Sequence, residues 1–246
     1  MKITKKIHQQ AYITVVLSLI LSGCSVKEAY ITPEGLLSVL DPSSNFSTEN
    51  LPKDWIIKNN GTLNKNQLQI VIKNGKRSLK VTSAKDAFII VRRTNAMMLA
   101  TPFLSWSWLI EQPLSSGNHP PCIFIGFYGG DPKSRKFSNK TFKWLGNSLP
   151  RHDRTISLTW GKSALQRGSL ITQRRDGTNL VPSYTVRGGR ENTGSWWLET
   201  VDVSSLYQQI WPKDNKANAR IVFIGIAAIS ERFPATAQFS GIKLSR

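Results

Sequence analysis

Leu68-Gln69-Ile70-Val71-Ile72-Lys73-Asn74-Gly75-Lys76-Arg77-Ser78-Leu79-Lys80-Val81-Thr82 is the stretch whose pattern decides the fold class. Leu68, Ile70 and Ile72 recur at a two-residue period, which places them on one face of a strand. Asn74-Gly75 follows, a dipeptide that readily takes the positive φ of a tight hairpin turn. Beyond it Leu79 and Val81 alternate with Lys80 and Thr82. Two alternating runs around Asn-Gly predict a β-hairpin with one apolar face.

Short strands of the same kind recur downstream. Ala87 to Val91 reads as a more fully buried strand. Phe103 to Ile110 puts Trp106, Trp108 and Ile110 on one face, the expected core face. Pro120-Pro121 leads into Cys122 to Tyr128, a central-strand type of run that stops at Gly129-Gly130. Ile156 to Trp160 and Tyr184 to Arg187 are shorter, and Trp196 to Val203, Ile221 to Ile229 and Gln238 to Leu244 complete the set. One helix is predicted over Ser204 to Trp211. Ser204 or Ser205 would cap it, Leu206, Tyr207, Ile210 and Trp211 form its apolar face, and Pro212 ends it. The expectation is an all-β chain: a β-sandwich of jelly-roll type with one short helix near the C-terminus. Two basic, turn-rich insertions interrupt the pattern, Asp131 to Arg154 and Lys162 to Pro182.

Upstream of the hairpin the chain changes character. Residues 1–23 combine Lys2, Lys5 and Lys6 with an apolar run from Ala11 to Leu21, the layout of a secretory signal. The run is shorter than the roughly 20 residues that a membrane-spanning helix needs. It ends in Leu21-Ser22-Gly23-Cys24, which resembles the bacterial lipobox, and this implies a diacylglyceryl lipid on Cys24. More than one acyl chain makes such an anchor stable. Ser25, rather than an aspartate, follows the cysteine. The resemblance therefore implies the outer membrane, facing the periplasm, if the source has two membranes. Residues 24–50, with Pro33, Gly35, Pro42 and a Ser/Asn/Thr cluster, read as a polar tether, with a short helical turn expected at Leu36 to Leu40. The folded body is expected over 51–246.

Composition bounds what this body can use. The formal net charge of the whole chain is +18, from 33 Lys and Arg against 15 Asp and Glu, and removing Lys2, Lys5 and Lys6 leaves 30 against 15, about +15. Such a charge favours anionic partners: phosphorylated headgroups, acidic glycans or nucleic acid. No nucleic-acid-binding motif accompanies it. Besides Cys24 the only cysteine is Cys122, so no internal disulfide can form within the body. In its apolar run Cys122 reads as a small buried hydrophobe rather than a nucleophile.

No catalytic or metal motif emerges. His119 and His152 lack metal-ligand spacing, and there is no nucleophile elbow or phosphate loop. His152 and Asp153 read as a surface pair. Glu111 and Glu199 are distant carboxylates that a glycosidase-like site would have to bring within about 5–10 Å. No catalytic, metal or cofactor residue is assigned. Trp196 and Trp197 are adjacent in a strand, so they must face opposite ways. One fills the core, and the other packs under a loop or stacks on a ligand.

From Leu51 to the end the chain resembles the bacterial DUF3047 family, whose function is unknown. The likeness runs in order through Trp55, Leu79-Lys80-Val81, Pro102-Phe103-Leu104-Ser105-Trp106-Ser107-Trp108, Phe124 to Phe127, Leu158-Thr159-Trp160 and Trp196-Trp197. It continues through Ile224-Gly225-Ile226-Ala227 and Ala235 to Ile242. The resemblance implies a jelly-roll-like sandwich reminiscent of carbohydrate-binding modules, and it carries no established activity. Two departures stand out. Asn118-His119-Pro120-Pro121 replaces an acidic pair usual in the family, and Ser230-Glu231-Arg232-Phe233-Pro234 replaces a late acidic element. A cation or sugar site built from those acids would be lost here.

These readings converge on a lipid-anchored, non-enzymatic envelope module that engages an anionic glycan or lipid headgroup through a basic surface. The candidate residues are Lys140, Lys143 and Trp144 in the first insertion, with Arg174, Arg175, Arg187 and Arg190 around the second. A solvated basic surface is the alternative for all seven. The competing functions are a hydrolase acting on envelope glycan, which requires converging carboxylates, and an interaction subunit of an envelope complex, which requires an exposed apolar patch.

Overall fold

The computed structural model describes residues 28–29, 31–46, 51–59, 61, 63–112, 120–131, 149–173, 179–229 and 233–246, without the side chains of 179 and 180. Its strands form two sheets. The first contains β1 (Leu37–Leu40), β3 (Leu68–Lys73), β4 (Lys76–Thr82), β6 (Phe103–Ile110), β11 (Trp197–Asp202) and β13 (Thr236–Ser245). The second contains β2 (Trp55–Asn59), β5 (Phe88–Met97), β7 (Cys122–Tyr128), β8 (Arg154–Gly161), β9 (Leu170–Gln173), β10 (Asn179–Gly188) and β12 (Arg220–Ala228). One helix, α1 (Val203–Ile210), follows β11.

Strand order is β11-β6-β13-β4-β3 in the first sheet, with β1 beside β13, and β2-β5-β12-β7-β8-β10-β9 in the second. From β4 to β7, and again from β11 to β13, the chain alternates between the sheets with each strand. That interleaving makes the sandwich a jelly roll, as the sequence implied. Among the named strands, one pairing departs from an all-antiparallel pattern. β10 lies parallel to β8, because the chain first turns back through β9, which is antiparallel to β10.

The core lies between the sheets and follows the alternation. Trp106, Trp108 and Ile110 are fully buried, and the two indoles meet edge to face at 5.6 Å. Phe239, Phe127, Ile224 and Tyr207 pack into the same cluster. The Asn74-Gly75 turn takes positive φ at both residues, +52° and +73°, as a tight hairpin requires. α1 is capped by Asp202, two residues before the first of the expected serines, and its carboxylate accepts from Ser205 N at 2.8 Å.

The tether reading needs correction. Leu36 to Leu40 does not form a helical turn. Leu37–Leu40 is strand β1, paired with Leu244, Lys243 and Ile242 of β13, and Leu37, Val39 and Leu40 are buried. Ala29 bridges Thr94, and Phe46 packs edge-on against Trp55 at 4.8 Å. The folded body thus reaches back to Ala29. The second insertion is also more ordered than a loop. It contains a turn capped by Ser163, then β9 and the start of β10.

The central strands of the second sheet are buried on both faces. Ile89, Val91, Cys122, Phe124, Phe223 and Ala227 form an apolar cluster on its outer face, joined by Leu149, Ile56 and Val181. Phe223 explains a glycine in this central sheet. Its ring lies over Gly126 on the neighbouring strand, where a Cβ would approach it to 2.0 Å. Cys122 belongs to this cluster, and burial pushes its thiol up to about 12, as suits a packing residue.

Candidate functional site

Of the seven basic-surface candidates, Lys140, Lys143, Trp144, Arg174 and Arg175 lie outside the described residues, as does Cys24. Arg190 is exposed in the turn after β10. Arg187 is engaged elsewhere. Its guanidinium stacks over Trp197 at 3.8 Å and donates through Nε to Glu199 Oε1 at 2.5 Å. Glu199 is only 3% exposed, and it also accepts from Trp108 Nε1 at 3.3 Å and faces Arg167 at 3.6 Å. The register explains this placement. Trp197 pairs with Trp108 and Glu199 with Trp106, so both point inward with the core tryptophans. Arg187 reaches them from β10 of the other sheet. The arrangement is a buried ion pair that ties the two sheets together at their margin.

The proposed carboxylate pair does not form. Glu199 faces inward, whereas Glu111, one residue beyond β6, bonds on the outer face to Gln238 and Lys80. His152 is also not on the surface. It is buried edge-on to Phe223 at 5.2 Å, and its Nδ1 lies 2.8 Å from Pro150 O. Asp153 takes the N–H of Gly129 at 2.9 Å, and burial raises its carboxyl above the usual range. Beside it, Arg154 bonds through two nitrogens to Asp214, which also accepts from Tyr207 at 2.8 Å. This network fixes α1 and the loop after it to the start of β8.

Among the described residues, the outer face of the first sheet is a polar face with exposed side chains at one margin. Its side chains are largely polar: Ser78, Lys80 and Thr82 on β4, Thr236, Gln238, Ser240 and Lys243 on β13, Ser105 and Ser107 on β6, and Thr200 on β11. One half is an internally bonded network. Gln238, 1% exposed, donates to Glu111 at 2.5 Å and accepts from Ser78 at 2.9 Å. The other half is open. Leu198 is 74% exposed and Phe103 37%, with the Ser105 and Thr200 hydroxyls bonded at 2.9 Å between them.

The β3–β4 hairpin shapes this face into a trough. β4 pairs with β13 only from Thr236↔Thr82 to Phe239↔Leu79. Past the bulge at Gly241 (φ +62°), β1 takes its place beside β13. The hairpin tip therefore leaves the sheet and folds over the outer face. Trp196 Nε1 donates to Lys73 O at 3.1 Å, and Lys76 Nζ donates to Ser107 Oγ at 3.2 Å. In a flat sheet β11 and β3 would stand roughly 19 Å apart, four strand spacings. Lys76 Nζ also lies 5.1 Å from the centre of the Trp196 ring. The result is a strip along β11 and β6, from Trp196 past Leu198 and Thr200 to Phe103, about 20 Å long at a strand's rise per residue.

The sequence placed Trp196 and Trp197 on opposite faces, and they are. It did not single out Lys76 or Leu198. Leu198 could have been found, because it shares the outward phase of β11 with Trp196 and Thr200. Lys76 could not, because its position depends on the hairpin leaving the sheet.

The family described as "Protein of unknown function (DUF3047)" matches residues 54–238, about three-quarters of the chain. No curated protein matches it. Three similar solved structures share low identity with it. A family 11 carbohydrate-binding module from Clostridium thermocellum, in complex with a β-1,3-1,4-mixed-linked tetrasaccharide, is 12% identical over 85% of this chain and 94% of its own, with a TM-score of 0.39. The K2 cleaved adhesin domain of Lys-gingipain is 9% identical over 86% and 99%, with a TM-score of 0.40. The xyloglucanase domain of NopAA, a type three effector from Sinorhizobium fredii, in complex with cellobiose, is 12% identical over 72% and 92%, with a TM-score of 0.36. A binding module, an adhesin domain and a xyloglucanase do different things, so function has to be argued from the site.

Proposed function

The chain belongs to the DUF3047 family, and from that premise we propose that it is a glycan-binding module of the bacterial envelope, non-enzymatic and held to a membrane by lipid on Cys24. The observation that carries this reading is the open strip on the outer face of the first sheet. A sugar chain offers apolar C–H faces and hydroxyls in alternation. The strip offers the same alternation: the Trp196 ring, then Leu198, then the Ser105 and Thr200 hydroxyls, then Phe103. Sites of this kind join apolar and aromatic contact area to a few placed polar groups. Without Lys2, Lys5 and Lys6 the chain keeps 30 basic against 15 acidic residues, and that excess adds attraction for the acidic polymers of an envelope.

Affinity electrophoresis of the lipid-free chain in gels containing envelope polysaccharides tests the site. Retardation is expected for the wild type and should be lost in Leu198→Asp with the melting temperature unchanged. A wild type that no polysaccharide retards would overturn the reading. The anchor is tested separately: radiolabelled fatty acid should appear on the expressed protein and vanish in Cys24→Ala.

A further inference from the structure

The hairpin that folds over the strip brings a second feature with it. Lys73 and Lys76 are directly opposite each other across β3 and β4, on the face that looks onto the strip. Like charges in that relation destabilise a sheet. Among the described residues, the Lys76 ammonium meets neutral groups, the Ser107 hydroxyl and the Trp196 ring. An ammonium has three donors, and Ser107 takes one. Three acids on or next to β6 and β11 are engaged elsewhere. Glu111 meets Lys80 and Gln238, Asp202 caps α1, and Glu199 faces inward to Arg187. Among the described residues, no carboxylate pairs with either lysine.

We propose that Lys73, Lys76 and the Ser107 hydroxyl form an anion subsite at the Trp196 end of the strip, which receives the carboxylate of an acidic sugar in the bound chain. This rests on the glycan reading and narrows it to acidic glycans. The carboxylate would accept from both ammoniums and relieve their mutual repulsion. Its ring would lie beside Trp196 and Leu198. Such charge-assisted bonds are the strong kind, and an ordinary pair of them amounts to a preference of about tenfold or more.

The test is titration calorimetry with an acidic polysaccharide and its carboxyl-reduced, neutral counterpart. The wild type should bind the acidic form at least about tenfold tighter, and the preference should shrink as salt is raised. Lys73→Met/Lys76→Met should bind both forms alike, at the wild-type affinity for the neutral form. Lys213→Met/Lys216→Met removes the same charge from the loop after α1 and should keep the preference. If the hairpin variant keeps it, or the loop variant loses it equally, net charge rather than the subsite is responsible and the proposal fails. A wild type that binds both forms equally overturns the subsite and leaves the glycan reading standing. A wild type that binds neither overturns both.

Discussion

The outer faces of the two sheets have opposite characters. That of the second sheet is apolar: Ile89, Val91, Phe124 and Phe223 are buried there with Cys122 and Leu149. That of the first sheet is made of serine, threonine, glutamine and lysine, with an open apolar strip at one margin. An apolar face has to be covered for the fold to persist, so it cannot also receive a ligand from solvent. A polar face can stay open, and what it leaves exposed is then informative. Leu198 and Phe103 stand out because their surroundings would not otherwise require them.

The largest expected effect belongs to the covered face. Phe223→Ala should cost about 3–5 kcal/mol in denaturant unfolding, because it empties a fully buried site beneath His152 and over Gly126. A loss under 1 kcal/mol would mean that this face is not the closed layer described. Gln238→Ala, in the covered half of the polar face, should cost about 1–3 kcal/mol by leaving Ser78 and Glu111 without their shared partner. Leu198→Ala, on the open strip, should lie within about 0.5 kcal/mol of wild type. If the three costs came out alike, the contrast between the faces would collapse.

Two chemical measurements sharpen the same contrast. Cys122 should resist a thiol reagent at pH 8 in the native protein and react once it is unfolded, because burial keeps its thiol protonated. A cysteine placed on the strip by Leu198→Cys should react at once. The smallest effect concerns Asp153. Its carboxyl is raised by burial, so it favours folding while protonated, below its unfolded pKa, and withdraws that contribution as pH rises through the folded value. Asp153→Asn should therefore flatten the fall in melting temperature from about pH 4 upward and leave lower pH unchanged. An unaltered slope would show that Asp153 is well solvated.

Much of the fold was legible because alternation is a local property. The Leu68–Thr82 hairpin, the inward phase of Trp106 and Trp108 and the opposed Trp196 and Trp197 all follow from a two-residue period and a turn dipeptide. β1 was not legible. Its four residues show no clear period, and the strand that covers it, β13, lies some two hundred residues away in the chain. The site was less legible still. Arg187 looked like a free cation in a basic turn, and nothing in its neighbourhood reveals that Glu199, from another sheet, neutralises it.

By itself, then, the sequence determined most of the strands, which residues of each of them share a face, and that the folded body must manage a large positive charge without an internal disulfide. Only the tertiary structure decided which face is covered, which cations are paired and where Lys76 comes to rest. The physical reason is that side-chain alternation is written within a few consecutive residues. Strand neighbours are instead chosen by pairing between distant segments, and that pairing both buries Glu199 beside Arg187 and lifts the hairpin tip over the strip.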